Sequence, residues 1–459
     1  MSYATLSAFV EGTAQEYGTP GVAVGVWADG QEFYACHGVT SVENPLPVDR
    51  DTLFQLGSVT KTHTATAVMR LVEEGRIDLD APVRKYVPEL VLSDERAAAD
   101  MTVLNLLNHT AGLGWNVIVD TGEGENALAD FVARMTELEQ LAAPGTRASY
   151  SQAGYNLVGR ILENVTGLTY EQAIASLVLE PLGLSNSFFA PDDVMTRRFA
   201  VGHDFGEDGT LAVSRPWRVF RANNPGGGLT SSVTDLLRWA RFHLGDGRAE
   251  DGTKVLSAEA LHQMKEPTVE LVASSLGDAF GIAWFLREVD GVRTVEHGGS
   301  ARGQFAALHV VPERNFAVVV LNAGPEGTPF NQAVVRWAFE NYLGLVEKDP
   351  EPLPYDEAWA REVAGAYEND AMTLNVVTDG AGLTIDAVIK PEVRAASETE
   401  LPADYAPAAM GLLPGDADEY IVTEGGLAGQ RGFFSRDESG AIVGIDLAGR
   451  LFTRVPAAS

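Results

Sequence analysis

The sequence predicts an α/β fold: one antiparallel sheet flanked by helices, with an inserted helical lobe, followed by a small antiparallel β-barrel. Three observations predict it. Strand-like runs joined by hairpin signals occur near the N-terminus and again over residues 279–321, with a helical stretch between them. A Pro- and acid-rich linker, residues 348–357 (KDPEPLPYDE), then divides the chain. Beyond it, short alternating runs sit between Gly and Asp turns, the pattern of a small barrel or sandwich.

Taken in order, a polar first helix precedes the apolar runs Gly21–Ala28 and 32–38, which flank Asp29-Gly30. Asp-Gly between apolar runs is a strong hairpin signal, because both turn positions need positive φ. A helix follows over 59–74, with Ala65, Val68, Leu71 and Val72 at helical spacing and Gly75 as its stop. Residues 80–275 read as helices broken by Pro and Gly, including Val103–Leu107, 156–165 and 232–244. The last opens with Ser232-x-x-Asp235, a capping pattern. Strand character returns at 279–287 and 292–296 around Asp290-Gly291, then at Gln304–Val311 and 315–321, and a helix at 332–343 closes this part. Beyond the linker the strand runs are 373–377, 383–385, 420–423, 432–435 and 441–447. The resulting division is a first unit over 1–347 with its helical lobe at about 80–275, a linker over 348–357 and a barrel over 358–459. A cleft between sheet and lobe is the expected site.

Composition narrows the function. Of 459 residues, 45% are hydrophobic and 21% charged, enough for a packed core. The net charge of −31 repels phosphate backbones and anionic headgroups, so neither nucleic acid nor a membrane surface is an expected partner. The acidic excess reads as a solubility feature and does not forbid a homo-oligomer. One cysteine, Cys36, permits no internal disulfide or Cys-based zinc cluster and reads as a small core residue. No signal-peptide pattern opens the chain and no apolar run reaches the roughly 18 residues of a membrane span. The expectation is a cytoplasmic protein.

The chemistry-bearing motifs are few. The chain has no His-Glu-x-x-His, P-loop, Gly-x-Gly-x-x-Gly, EF-hand or Gly-x-Ser-x-Gly pattern, and its eight His lack metal-ligand spacing, so no metal or cofactor is expected. Ser58-Val59-Thr60-Lys61 opens the 59–74 helix; of the six Lys, only Lys61 has a Ser three residues earlier. Residues i and i+3 share a helix face, so the amine reaches the hydroxyl, and a desolvated Lys with a lowered pKa accepts its proton. Ser58 as an ordinary N-cap is the competing reading. Tyr150, in the run Tyr150-Ser151-Gln152, offers a phenol of lowered pKa to shuttle a proton. His297-Gly298-Gly299-Ser300 lies on an expected edge strand: the glycines let backbone approach a bound carbonyl, and the Ser300 N–H pairs with that of Ser58 as an oxyanion hole.

Ser-x-x-Lys, then Tyr, then His-Gly-Gly, in this order, resembles the serine β-lactamase-like superfamily, which includes class C β-lactamases, D-alanyl-D-alanine peptidases, D-aminopeptidases and β-lactamase-fold carboxylesterases. Supporting phrases are FQLGSVTK at 54–61, LLNHTAGL at 106–113, the stretch 144–159, EPLGL at 180–184 and GGGLTS at 226–231. The resemblance implies a β-lactamase/transpeptidase-like sheet, with Ser58 as acyl-accepting nucleophile, Lys61 as its activating partner, Tyr150 as general acid/base and His297 at the strand motif. Whether Lys61 or Tyr150 is the initial base stays open. Two departures stand out. The family's Tyr-x-Asn reads Tyr150-Ser151-Gln152, with Gln152 as the substrate-contacting amide. His297 replaces the Lys of Lys-Thr-Gly, making a weaker, pH-dependent anchor, and Arg302 is a candidate for the missing charge. Tyr367-Glu368-Asn369 matches Tyr-x-Asn literally but lies after the linker, out of order. Ala364–Tyr367 and Gly449-Arg450 resemble the lipocalin-like C-terminal barrel of some peptidase-like members, implied to border the site or mediate assembly.

The expected function is therefore hydrolysis of an amide, peptide or ester bond through a Ser58 acyl-enzyme, the acyl donor being a small molecule or short peptide. The alternatives are a transacylase using the same intermediate, a weak β-lactamase and, from another class, a non-catalytic ligand-binding or sensor protein.

Overall fold

The computed structural model describes residues 3–116, 120–206, 209–217, 220–396, 404–415 and 417–456. Its main sheet has eight antiparallel strands in the spatial order Gln31–Gly38, Gly21–Ala28, Phe316–Asn322, Gln304–Val311, Val292–Ala301, Phe285–Val289, Gly277–Phe280 and Val269–Ser274. The central strands Gly21–Ala28 and Phe316–Asn322 are covered on both faces, which is why they read as continuous apolar runs and not as alternating ones. One face packs Val22, Val24, Val318 and Val320 against Leu6 and Val10 of the first helix, Tyr3–Glu16, and Phe330 and Val334 of the last, Gly327–Ala338. The other face joins a larger core with the Thr60–Glu73 and Val233–Leu244 helices and the helical lobe.

Local sequence rules hold where they are steric. Asp29 and Gly30 (φ 52° and 75°) and Asp290 and Gly291 (φ 49° and 75°) take the left-handed conformation their hairpins require. Ser232 caps its helix by accepting from Asp235 N, and Thr102 forms a capping box with Asn105 before Val103–Leu107. Other boundaries shift. The expected helix at 59–74 begins as a 3-10 turn, Gly57–Val59, so Ser58 lies inside the turn and is not an N-cap. The run 279–287 is cut in two by Ala283 at φ 66°. The helix expected at 332–343 starts earlier, at Gly327, and ends in a π turn, Phe339–Leu343. Cys36 is half-buried on the Gln31–Gly38 strand and is not a full core residue.

The C-terminal segment is a closed antiparallel barrel of eight strands; the first, Gly365–Glu368, pairs with the last, Arg450–Arg454. Tyr367, Leu374, Ile385, Tyr420, Phe434 and Ile445 fill it. Tyr367 donates to Val363 O at 2.6 Å and Asn369 accepts from the Ala371 and Met372 amides, so the literal Tyr-x-Asn match is barrel architecture. A helix, Glu357–Val363, capped by Asp356, begins inside the linker. No helix among the described residues is long and apolar enough to cross a membrane.

Candidate active site

The Val292–Ala301 strand changes character halfway. Val295 and Glu296 pair on both sides, but the neighbouring strand starts at Phe285, opposite Glu296, so among the described pairings 297–301 bond only to the Gln304–Val311 side. That free edge lies against the Gly57–Val59 turn. A Cβ on Gly299 would stand 2.0 Å from Leu56 O and 2.9 Å from Ser58 N; one on Gly57, whose φ is 50°, would stand 2.5 Å from Ser300 N. Glycines at 57 and 299 thus bring the Ser58 and Ser300 backbones together, at an approach no side chain permits.

Lys61, one helical turn beyond Ser58, is fully buried. Its Nζ lies 3.2 Å from Ser58 Oγ, 2.8 Å from Gln152 Oε1 and 2.7 Å from Gly226 O. Burial, helped by the Arg450 cation, holds the amine well below the usual lysine range. In its neutral form, which this lowering favours, the amine has two N–H bonds and a lone pair. Gln152 Oε1 and Gly226 O are acceptors only, so they take the N–H bonds and the lone pair faces the Ser58 hydroxyl.

Tyr150 precedes the Gln152–Thr166 helix, whose N-cap Ser151 accepts from Gly154 N. The Tyr150 side chain is 6% exposed, with Lys61 Nζ 4.9 Å from its ring centroid. A lowered phenol pKa does not result: burial pushes it up to about 12, against the opposing pull of Ser58 and Arg450. Near neutral pH the phenol keeps its proton and stands as a donor.

His297 does not behave as a pH-dependent anchor. It stacks on Phe285 at 4.4 Å with its Nδ1 2.6 Å from Gly298 O, and burial with the neighbouring Lys61 lowers its pKa to about 3. It is a neutral ring at physiological pH. Gln152 is likewise committed elsewhere, to Lys61, because its longer side chain reaches over Gly226. Gly298 and Ser300 are exposed on the free edge and Gly299 is half-buried. Arg302 sits in the hairpin turn at φ 43° with its carbonyl against Gly202.

The cation brought to Tyr150 comes instead from the barrel. The turn before its last strand inserts here: Tyr150 N donates to Gly449 O at 2.7 Å, Leu451 N to Ser149 Oγ at 3.4 Å, and the Arg450 guanidinium lies 5.3 Å from the Tyr150 ring and 5.8 Å from that of Trp115. Asp370, also from the barrel, accepts from Trp115 N at 3.1 Å. His109 packs against the Tyr150 ring at 4.3 Å in a tilted arrangement and accepts from Ser151 N. In the sequence His109 stands out only within the phrase LLNHTAGL, and Gly449-Arg450 only as a mark of the barrel. Neither carries a local signal of its place. Among the described residues no three His, Cys, Asp or Glu side chains converge as a metal site requires.

A serine, a buried lysine and a backbone-lined strand edge thus meet on an α/β scaffold with an inserted helical lobe. The chain belongs to the Beta-lactamase family, whose profile matches residues 6–340, and so to the β-lactamase-fold serine hydrolases. It is 35% identical to Penicillin-binding protein 4 of Amycolatopsis lactamdurans over 364 residues, covering 77% of this chain and 94% of that protein. Among solved structures it resembles SurE, with a TM-score of 0.76, 25% identity and 99% of each chain covered. It also has the fold of an octameric penicillin-binding protein homologue from Pyrococcus abyssi, at TM-score 0.66 and 24% identity over 99% of this chain and 100% of the homologue.

Proposed function

We propose that this chain hydrolyses an amide, peptide or ester bond of a small-molecule or short-peptide acyl donor through an acyl-enzyme on Ser58. The observation that carries the reading is the 3.2 Å approach of a buried, deprotonation-prone Lys61 to Ser58 Oγ. Lys61 takes the Ser58 proton as Oγ attacks the carbonyl, and the Ser58 and Ser300 amides hold the oxyanion. Tyr150 gives its phenolic proton to the leaving amine or alkoxide as the C–N or C–O bond breaks, and recovers one from Lys61. Water then attacks the ester, gives up a proton by the reverse relay and releases the acid, restoring Ser58. Lys61 is the initial base in this reading, since a phenol near 12 is a poor one.

SurE has also been solved with D-Leu, which supports a donor carrying a D-residue. The octameric homologue supports self-association. The division into a hydrolase unit over 1–347, with its lobe at about 80–275, and a barrel over 358–459 belongs to the same proposal. The test is intact-mass spectrometry of wild type and Ser58→Ala after exposure to an activated ester, a D-amino-acid anilide and a penicillin. One acyl increment on wild type, absent from Ser58→Ala, is expected. No increment and no turnover with any donor would refute the reading and favour a binding protein.

A further inference from the structure

Gln152 stands where the resemblance implies an asparagine, and its amide is held at both ends. Oε1 accepts from Lys61 at 2.8 Å, while Nε2 donates to Asn156 Oδ1 at 3.0 Å and to Asn223 O at 3.3 Å. Asn156, fully buried one turn further along the same helix, donates its own Nδ2 to Asn223 Oδ1 at 2.8 Å and to Asn116 Oδ1 at 3.4 Å. Asn116 Nδ2 in turn donates to Asn223 Oδ1 at 3.2 Å. The amides form a directed chain, each NH₂ spent on the next oxygen. Gly226 leaves room for it: a Cβ there would lie 1.9 Å from Gln152 Nε2.

Direction matters because the two ends of an amide are alike in size and opposite in hydrogen bonding. Were Gln152 to turn over, its NH₂ would face the Lys61 amine and compete with the Ser58 hydroxyl for the lone pair. In the observed orientation the lone pair is left to Ser58. Asn156 Oδ1 is the acceptor that fixes this orientation, together with the carbonyl of Asn223. Asn156 has no described contact with Ser58 or Tyr150, so it acts through Gln152.

We propose that Asn156 is a positioning residue for acyl transfer: by accepting from Gln152 Nε2 it keeps Gln152 Oε1 on Lys61 and the Lys61 lone pair on Ser58. The proposal rests on the acyl-enzyme reading above. It also accounts for the Gln at 152, whose extra methylene carries the amide to Asn156.

The experiment compares the full chain with its Asn156→Leu and Asn156→Asp variants, using p-nitrophenyl acetate as donor. Burst kinetics follow acylation against pH, intact mass locates the acyl group and thermal melts check folding. Asn156→Leu removes the acceptor, and acylation at saturating ester should fall about tenfold, the worth of one buried hydrogen bond, with KM within twofold. Asn156→Asp keeps an acceptor for Gln152 but adds negative charge near Lys61. It should retain the rate at high pH and move the acid limb of the profile upward by at least about half a unit. A merely structural role would give neither the split between rate and KM nor the displaced limb. A folded Asn156→Leu with acylation within twofold of wild type would overturn the proposal. If Asn156→Leu does not fold, an Asn156→Asp profile superimposable on wild type would do so. A wild type that gains no acyl mass would instead refute the underlying acyl-enzyme reading.

Discussion

Replacing Gly299 by alanine tests the proposed pairing of the strand edge with the Gly57–Val59 turn. The new Cβ would lie 2.0 Å from Leu56 O and 2.9 Å from Ser58 N. Ordinary van der Waals contact for a Cβ begins at 3.4 Å, so the strand edge and Leu56 O must part by more than an ångström. In the proposed mechanism the Ser58 and Ser300 amides must each come within about 2.7–3.1 Å of the oxyanion, and such a shift takes one of them out of reach. Loss of one donor costs about 10²–10³ in rate, and an ångström of misplaced nucleophile about 10². Acylation should therefore fall by about 10² or more. The assay is the rate of acyl-mass gain from an activated ester, with a thermal melt to show that Gly299→Ala is folded. A folded variant acylated within threefold of wild type would refute the assignment of this edge to the oxyanion.

Three further outcomes follow from the same geometry. Arg450→Met removes the cation that lowers both Lys61 and Tyr150, so Lys61 regains protons; the acid limb of the acylation profile should move to higher pH by about one unit, and an unmoved limb would deny Arg450 an electrostatic part. Tyr367→Phe loses the hydrogen bond to Val363 O and should cost about 1 kcal/mol in denaturant titrations, leaving acylation untouched; a large loss of acylation would contradict a purely architectural Tyr367. Asp446, buried beneath Arg450 with Oδ1 lacking a partner among the described residues, has its pKa raised to about 7 from 3.8. A carboxyl raised on folding stabilises below its unfolded pKa and loses that contribution as pH rises through its folded one. Asp446→Asn should therefore gain stability relative to wild type between pH 4 and 7, by at most about 1.4 kcal/mol per unit. A denaturant midpoint difference that does not grow with pH would count against it.

What the sequence disclosed was what short-range sterics and spacing govern. Asp29-Gly30 and Asp290-Gly291 announced their hairpins because few other residues take their φ values. Ser58 and Lys61 announced each other because three residues of helix set their separation. The Tyr405–Leu412 strand went unread because Pro407 interrupts its pattern, and the partner register shifts between Ile385 and Ala387. The barrel's first and last strands, Gly365–Glu368 and Arg450–Arg454, are short and find each other only by closure. The raised Tyr150 phenol and the lowered His297 were illegible for another reason. Both follow from desolvation by segments distant in sequence, which no local window contains. Arg450 is the extreme case, since nothing near Tyr150 in sequence hints at a guanidinium arriving from the barrel.

That guanidinium also sets a timetable. A ribosome finishes the Ser58–Lys61 pair and the sheet edge long before it makes residue 450, and the turn holding Arg450 is fixed only when Arg450–Arg454 closes the barrel on Gly365–Glu368. A nascent chain with its first core folded thus exposes Tyr150 without the cation and without the Gly449 carbonyl that caps its amide. Maturation of the site thus waits for the barrel to close, and a chain that has not yet reached that point carries Ser58 and Lys61 in an electrostatic setting different from the one the closed barrel provides.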